Sequence, residues 1–143
     1  MKQLFTFLVL SVFMAACAGG PKAKAPPNLV NTEWLLEDLV GKGVLDRVQA
    51  TLAFPEPDKV AGKASCNRFF GGVEIKGESI KIGHLGSTMM ACESPAVSNQ
   101  ETNYLKALEA ANRIVLEGPY LLIYSKGFDK PMRFTQMTPA AKP

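Results

Sequence analysis

Short segments with a two-residue apolar period, each closed by turn residues and interrupted once by a helical period, limit this chain to a small fold dominated by antiparallel sheet. Val73 and Ile75, then Ile80 and Ile82, flank Lys76-Gly77-Glu78-Ser79, whose Gly-X centre suits a tight hairpin and puts the four apolar side chains on one face. Thr32 to Leu39 sets Trp34 and Leu36 on one side and Leu35 opposite, and Gly41-Lys42-Gly43 turns the chain toward Val44 and Val48. Ala50 to Phe54 reads as a strand stopped by Pro55, and another begins at Val60 to Lys63. Ile114 to Leu116, Tyr120 to Tyr124 and Met132 to Thr135 follow, the last two joined by Ser125 to Pro131. Only residues 95–111 carry helical spacing, through Val97, Tyr104, Leu105, Leu108 and Ala111, with Ser94 before Pro95 and Ser98 before Glu101 as alternative N-caps. The expected fold is α+β: an antiparallel, strongly curled, open barrel-like sheet with one main amphipathic helix.

The N-terminus carries a different signal. Lys2, an apolar run from Leu4 to Met14 broken only by Thr6 and Ser11, and small residues before Cys17 read as a secretory signal peptide over residues 1–16. The run is too short to span, since a membrane helix needs about 20 apolar residues and Gly19-Gly20-Pro21, Lys22 and Lys24 interrupt it. Met14-Ala15-Ala16-Cys17 resembles the lipobox of bacterial lipoproteins, with Met14 in place of the usual leucine. That resemblance implies acylation of Cys17, palmitate included, a membrane anchor, and, because Ala18 rather than aspartate follows, an outer-membrane position facing the periplasm. Ordinary cleavage after Ala16-Cys17-Ala18 remains the alternative and releases a soluble periplasmic or secreted protein. Residues 17–30 are expected to be a lipid-attachment site and flexible tether, with Pro21, Pro26 and Pro27 and too little apolar surface to offset ordering entropy. Its reach is about 40 Å extended and about 20 Å as a coil. One domain, residues 31–136, and a disordered tail, residues 137–143, complete the division.

With 16 basic and 13 acidic side chains the chain carries a net charge of +3, and loss of Lys2 with the leader lowers it by one. So weak an excess, with no cluster longer than Lys22-Ala23-Lys24, argues against nucleic acid as a partner. Once Cys17 is set aside, Cys66 and Cys92 are an even pair in an oxidising compartment, either a disulfide or two separate buried thiols. Zinc held by Cys66, His84 and Cys92 is disfavoured for want of close C-x-x-C pairing, so neither a metal nor another cofactor is expected.

Catalysis finds little support in the residues. His84 is the only histidine and lies at an expected strand end, without a nucleophile and acid in recognisable order. No Gly-rich phosphate loop or H-E-x-x-H motif is present. Glu37 and Asp38, adjacent in a strand, point to opposite faces and do not form an acid-base pair.

Ser65-Cys66-Asn67-Arg68-Phe69-Phe70-Gly71 and Ser87-Thr88-Met89-Met90-Ala91-Cys92 together resemble the two signature motifs of the META domain, or HslJ-like, family of heat-shock proteins. The order of elements agrees, from a Trp-bearing first strand through C-N-R-F, a hairpin, T-x-M-A-C and a helix to the final strands. The position of Met89 is often arginine in that family, so a binding role for that arginine does not transfer. Asn67 fits a turn, because its amide bonds neighbouring backbone groups. Arg68 is expected either to pair with Glu93 or Glu101 or to meet an anionic group. Phe69, Phe70, Met89 and Met90 are either core or an apolar groove. The candidate contact residues are therefore Asn67, Arg68, Phe69, Met89 and Met90. The expected protein is a monomeric, membrane-anchored, non-enzymatic envelope lipoprotein, a stress-related factor that binds an envelope protein or lipid. The alternative is a periplasmic carrier or sensor of a lipid or small apolar ligand.

Overall fold

Pairing between strands distant in sequence closes the sheet into a barrel. The computed structural model describes residues 27–137. The expected signal peptide, the acylation site Cys17, most of the tether and all but the first residue of the tail lie outside the described residues. The strands are β1 (Thr32–Leu39), β2 (Lys42–Gly43), β3 (Thr51–Glu56), β4 (Lys59–Lys63), β5 (Arg68–Lys76), β6 (Ser79–Ile82) and β7 (Gly86–Ser87). After helix α1 (Pro95–Glu109) come β8 (Ala111–Glu117), β9 (Tyr120–Ser125) and β10 (Met132–Gln136).

Eight of these form a ring in the order β1-β10-β9-β8-β6-β5-β4-β3, returning to β1, all neighbours antiparallel. The expectation of an open sheet is corrected here. Trp34 opposite Gln136 and Leu36 opposite Phe134 close the ring, a pairing between the two ends of the domain that local periodicity does not encode. Closure removes both sheet edges. The tightest join is β8 with β9, and the thinnest is β6 with β8, where Ser79 faces Arg113 and the Ile114 N–H donates to Glu78 O at 2.8 Å. Two short strands extend the ring: β2 folds back on the end of β1, and β7 pairs with Phe69 and Phe70 on β5.

Local chemistry explains the element ends. Gly77, at φ 59°, turns the β5–β6 hairpin, with Lys76 opposite Ser79. β3 runs through Pro55 rather than stopping there, because the register shifts between Ala53 and Glu56 and the missing N–H falls outside the regular ladder. Ser94 is the N-cap of α1, its Oγ accepting from Val97 N, and Pro95 takes the first turn. The expected core begins at residue 31, yet Leu29 is buried in it and Thr32 N donates to Leu29 O, so the packed unit starts earlier.

Inward positions alternate along the strands except where bulges in β1 and β8 shift the phase, and Leu52, Ile80, Ile114, Leu121, Ile123, Met132 and Phe134 fill the interior. Gly62 is required where β4 passes β3, since a Cβ there would lie 2.1 Å from Thr51 O. Helix α1 lies across the end where β1, β4, β6 and β9 finish. Tyr104 enters the interior, packs edge-on against Phe69 with ring centroids 5.9 Å apart, and donates to Thr51 O at 3.1 Å. Ser125 Oγ donates to Ala107 O at 2.7 Å on the same closure. The chain enters and leaves the barrel at the opposite end, where Met137 N donates to Glu33 O. Among the described residues the core is drawn from residues 29–134, and every strand of the closed ring lies within residues 32–136.

Candidate functional site

Two loops meet at the helix-covered end: the β4–β5 turn, Ala64 to Asn67, and the segment from β7 to α1, Thr88 to Ser94. The turn is unusual at Ser65, a non-glycine residue at φ 93°, where the backbone leaves the ordinary regions. Gln100 Nε2 holds it there by donating to Ser65 Oγ at 2.8 Å, both groups being buried. The strained residue turns the next two N–H groups toward α1. Glu101 receives both, Cys66 N at 3.1 Å and Asn67 N at 2.5 Å on Oε2, while its Oε1 accepts from Asn67 Nδ2 at 2.8 Å.

Asn67 then joins the turn to the second loop. Its Oδ1 accepts from Thr88 Oγ1 at 3.0 Å and from Met90 N at 2.7 Å, and its Nδ2 donates to Met90 O at 3.3 Å as well as to Glu101. Thr88 clamps the next residue, with Arg68 N donating to Thr88 Oγ1 and Thr88 N to Arg68 O. A disulfide joins Cys66 to Cys92, their Cα atoms 5.6 Å apart. Buried polar groups thus bond one another through backbone, amide and carboxylate, as burial requires.

The expected contact residues separate into two sets. Asn67 is buried and Phe69 is 1% exposed against Tyr104, so neither presents a contact surface. The alternation of β5 sends Phe69 inward and its neighbours Arg68 and Phe70 outward. Met89, Met90 and Phe70 are 94%, 64% and 62% exposed. These three are therefore not core, in contrast to Phe69, and the Phe70 ring lies over Gly86. Among the described residues Arg68 forms no ion pair, and Glu101, one of its expected partners, is turned onto Asn67 instead. Glu101 was legible as a possible capping residue after Ser98 and as a possible partner of Arg68; its bond to the backbone of a turn 34 positions earlier has no local signal.

Glu101, not His84, supplies the third ligand-type group beside the two cysteines, with all three candidate atoms within 4.8 Å. The sulfurs are bonded to each other and the carboxylate already accepts three N–H bonds, so this arrangement offers no thiolate. His84 stands exposed elsewhere, its Nδ1 3.0 Å from Glu109 Oε1, which also accepts from Leu85 N.

Comparison with known proteins agrees with this architecture. A sequence model of the META domain matches residues 27–138. The heat shock protein HslJ of Escherichia coli (strain K12) is 27% identical over 125 residues, which span 86% of this chain and 89% of that protein. A protein from Burkholderia xenovorans solved by NMR is similar in fold, with TM-score 0.61 and 23% identity over 78% of this chain and 85% of its own. A second NMR structure has TM-score 0.61 and 22% identity over 75% of this chain and 90% of its own.

Proposed function

The chain belongs to the META domain family, and from that premise we propose that it is a membrane-anchored, non-enzymatic envelope lipoprotein acting as a stress-related binding or assembly factor. The observation that carries the binding role is the contrast at the helix-covered end, where a hydrogen-bonded network anchors the backbone at Arg68, Thr88 and Met90 while Phe70, Met89 and Met90 stand exposed. Because the backbone beneath them is already ordered, a partner that meets these side chains need not order the loop as well. The stress role rests on the similarity to a protein named for heat shock. The anchored position rests on the residues around Cys17. Exchange of Cys17→Ser is expected to move the protein from membrane to soluble fractions or to block processing; unchanged partition and mature mass would refute the anchor. A photo-reactive residue replacing Met89 is expected to give adducts that the same residue replacing Glu117, at the far end, does not give. Equal yields at both positions would remove this face as the contact surface.

The carrier reading is favoured by a surface cavity of about 360 Å³ between the β1–β2 turn and the β9–β10 loop, lined by Leu39, Val40, Phe128 and Lys130 among others. The barrel interior itself is filled by Phe69, Tyr104 and Phe134. Native mass spectrometry of the purified domain separates the readings, since a persistently bound small apolar ligand supports the carrier and its repeated absence counts against it.

A further inference from the structure

The exposed end carries charge as well as apolar surface, and the charge is placed against ordinary sheet energetics. In the β4–β5 ladder Lys63 pairs directly with Arg68. Both are exposed, and among the described residues neither forms an ion pair with a carboxylate. Like charges directly opposite in an antiparallel pair repel. Two positions along β5, on the same outward face, stands Phe70, opposite Ala61, and Thr88 fastens Met89 and Met90 beside Arg68. Register and these bonds thus bring two basic and three apolar exposed residues to the same end of β4, β5 and β7.

We propose that this patch is a membrane-surface site, with which the folded domain itself settles on anionic phospholipid. The proposal rests on the reading of this end as the contact face and names what it contacts. Lys63 and Arg68 meet the phosphate headgroups, which relieves their mutual repulsion. Phe70, Met89 and Met90 enter the interfacial layer below, the arrangement by which peripheral proteins combine apolar insertion with attraction to anionic lipid. Shape favours a bilayer over a peptide. A partner helix or Pro-rich peptide lies in an apolar groove, whereas Met89 is 94% exposed and projects from the surface. A fluid lipid layer accommodates a projection without a complementary cleft. The disulfide and Asn67 keep the projecting segment from folding back onto the barrel.

The test uses the unit of residues 27–143, free of leader and acylation site, with sedimentation against vesicles. It is expected to bind vesicles of phosphatidylglycerol and phosphatidylethanolamine, to release as salt is raised, and to leave pure phosphatidylcholine vesicles unbound. Lys63→Gln and Arg68→Gln are each expected to weaken binding about fivefold, and Met89→Ser about tenfold. These side chains are exposed, so a melting temperature no lower than that of the parent shows that the variants fold. The lone Trp34 is buried, so in Met89→Trp the added indole reports the patch; its emission is expected to shift to the blue on anionic vesicles alone. No binding to anionic vesicles, binding that the variants leave unchanged, or self-association through this face in place of vesicle binding would each overturn the proposal. If vesicles fail while a residue at position 89 still crosslinks to a protein in cells, the contact face stands and the lipid assignment falls.

Discussion

At the scale of single residues, Asn67 and Met89 are opposites within one site. Asn67 is buried and bonded to both loops and to α1, so its value is structural. Truncation removes the acceptor of Thr88 Oγ1 and Met90 N and the amide donor to Met90 O and Glu101 Oε1, leaving Glu101 only its two backbone N–H bonds. Asn67→Ala is therefore expected to cost about 2–4 kcal/mol, read from denaturant unfolding, with the disulfide intact. An effect below that of a typical surface change would show that the network carries no weight. Tyr104 provides a pH signature of the core. Burial raises its phenol well above the ordinary value of 10.0. The folded state holds the proton where the unfolded state releases it, so Tyr104 contributes stability that is complete below the ordinary value and is lost as pH rises above it. Phenolate absorbance from Tyr104 is expected to appear only together with loss of near-ultraviolet circular dichroism, and Tyr104→Phe to remove that step. Ionisation of Tyr104 in a protein that keeps its tertiary signal would contradict its burial.

At the scale of elements, the segment from β7 to α1 has little regular structure of its own, and three different devices fasten it. β7 adds two residues to β5, Asn67 bonds Thr88 and Met90, and the disulfide holds Cys92 just before the cap of α1. A cross-link over 26 residues stabilises by about 3.5 kcal/mol in the chain-entropy description. Reduction is expected to lower the melting temperature and to loosen residues 88–94 before the barrel, whose strands do not depend on the bond for their ladder. Thiol labelling of the unfolded, unreduced unit from residue 27 is expected to find no reactive group. Two labelled cysteines would refute the bridge. The helix itself was legible from residues 95–111, including its capping alternatives, because a 3.6-residue period and Ser-Pro are local signals. Its end was read two residues long, since Ala111 continues the apolar period but belongs to β8, where it faces Ser125.

At the scale of the whole molecule, the ring has a strong closure and a weak seam. β1 and β10 pair along most of their length, whereas β6 and β8 share one register pair near Arg113 and Glu78. The carboxylate of Glu109 at the end of α1 assists near that seam by accepting from Leu85 N. Hydrogen exchange is expected to be faster at β8 amides facing β6 than at β1 amides facing β10, because local opening begins where few bonds must break. The reverse order would mean that the barrel opens at its chain ends instead. The sequence alone determined most of the strands, the single helix, the hairpin at Gly77 and the two motifs, since each depends on side-chain period, a turn residue or a short run of contiguous residues, but not the short strands β2 and β7 or the start of β5 at Arg68. Closure of the barrel, the inward turn of Phe69 and the outward turn of Phe70, the bonds from Glu101 to Cys66 and Asn67, and the opposition of Lys63 to Arg68 were decided only by the tertiary structure. They are pairings across long sequence separation, or choices of face set by register, and a shift of one residue in register would exchange the buried and exposed side chains of β5.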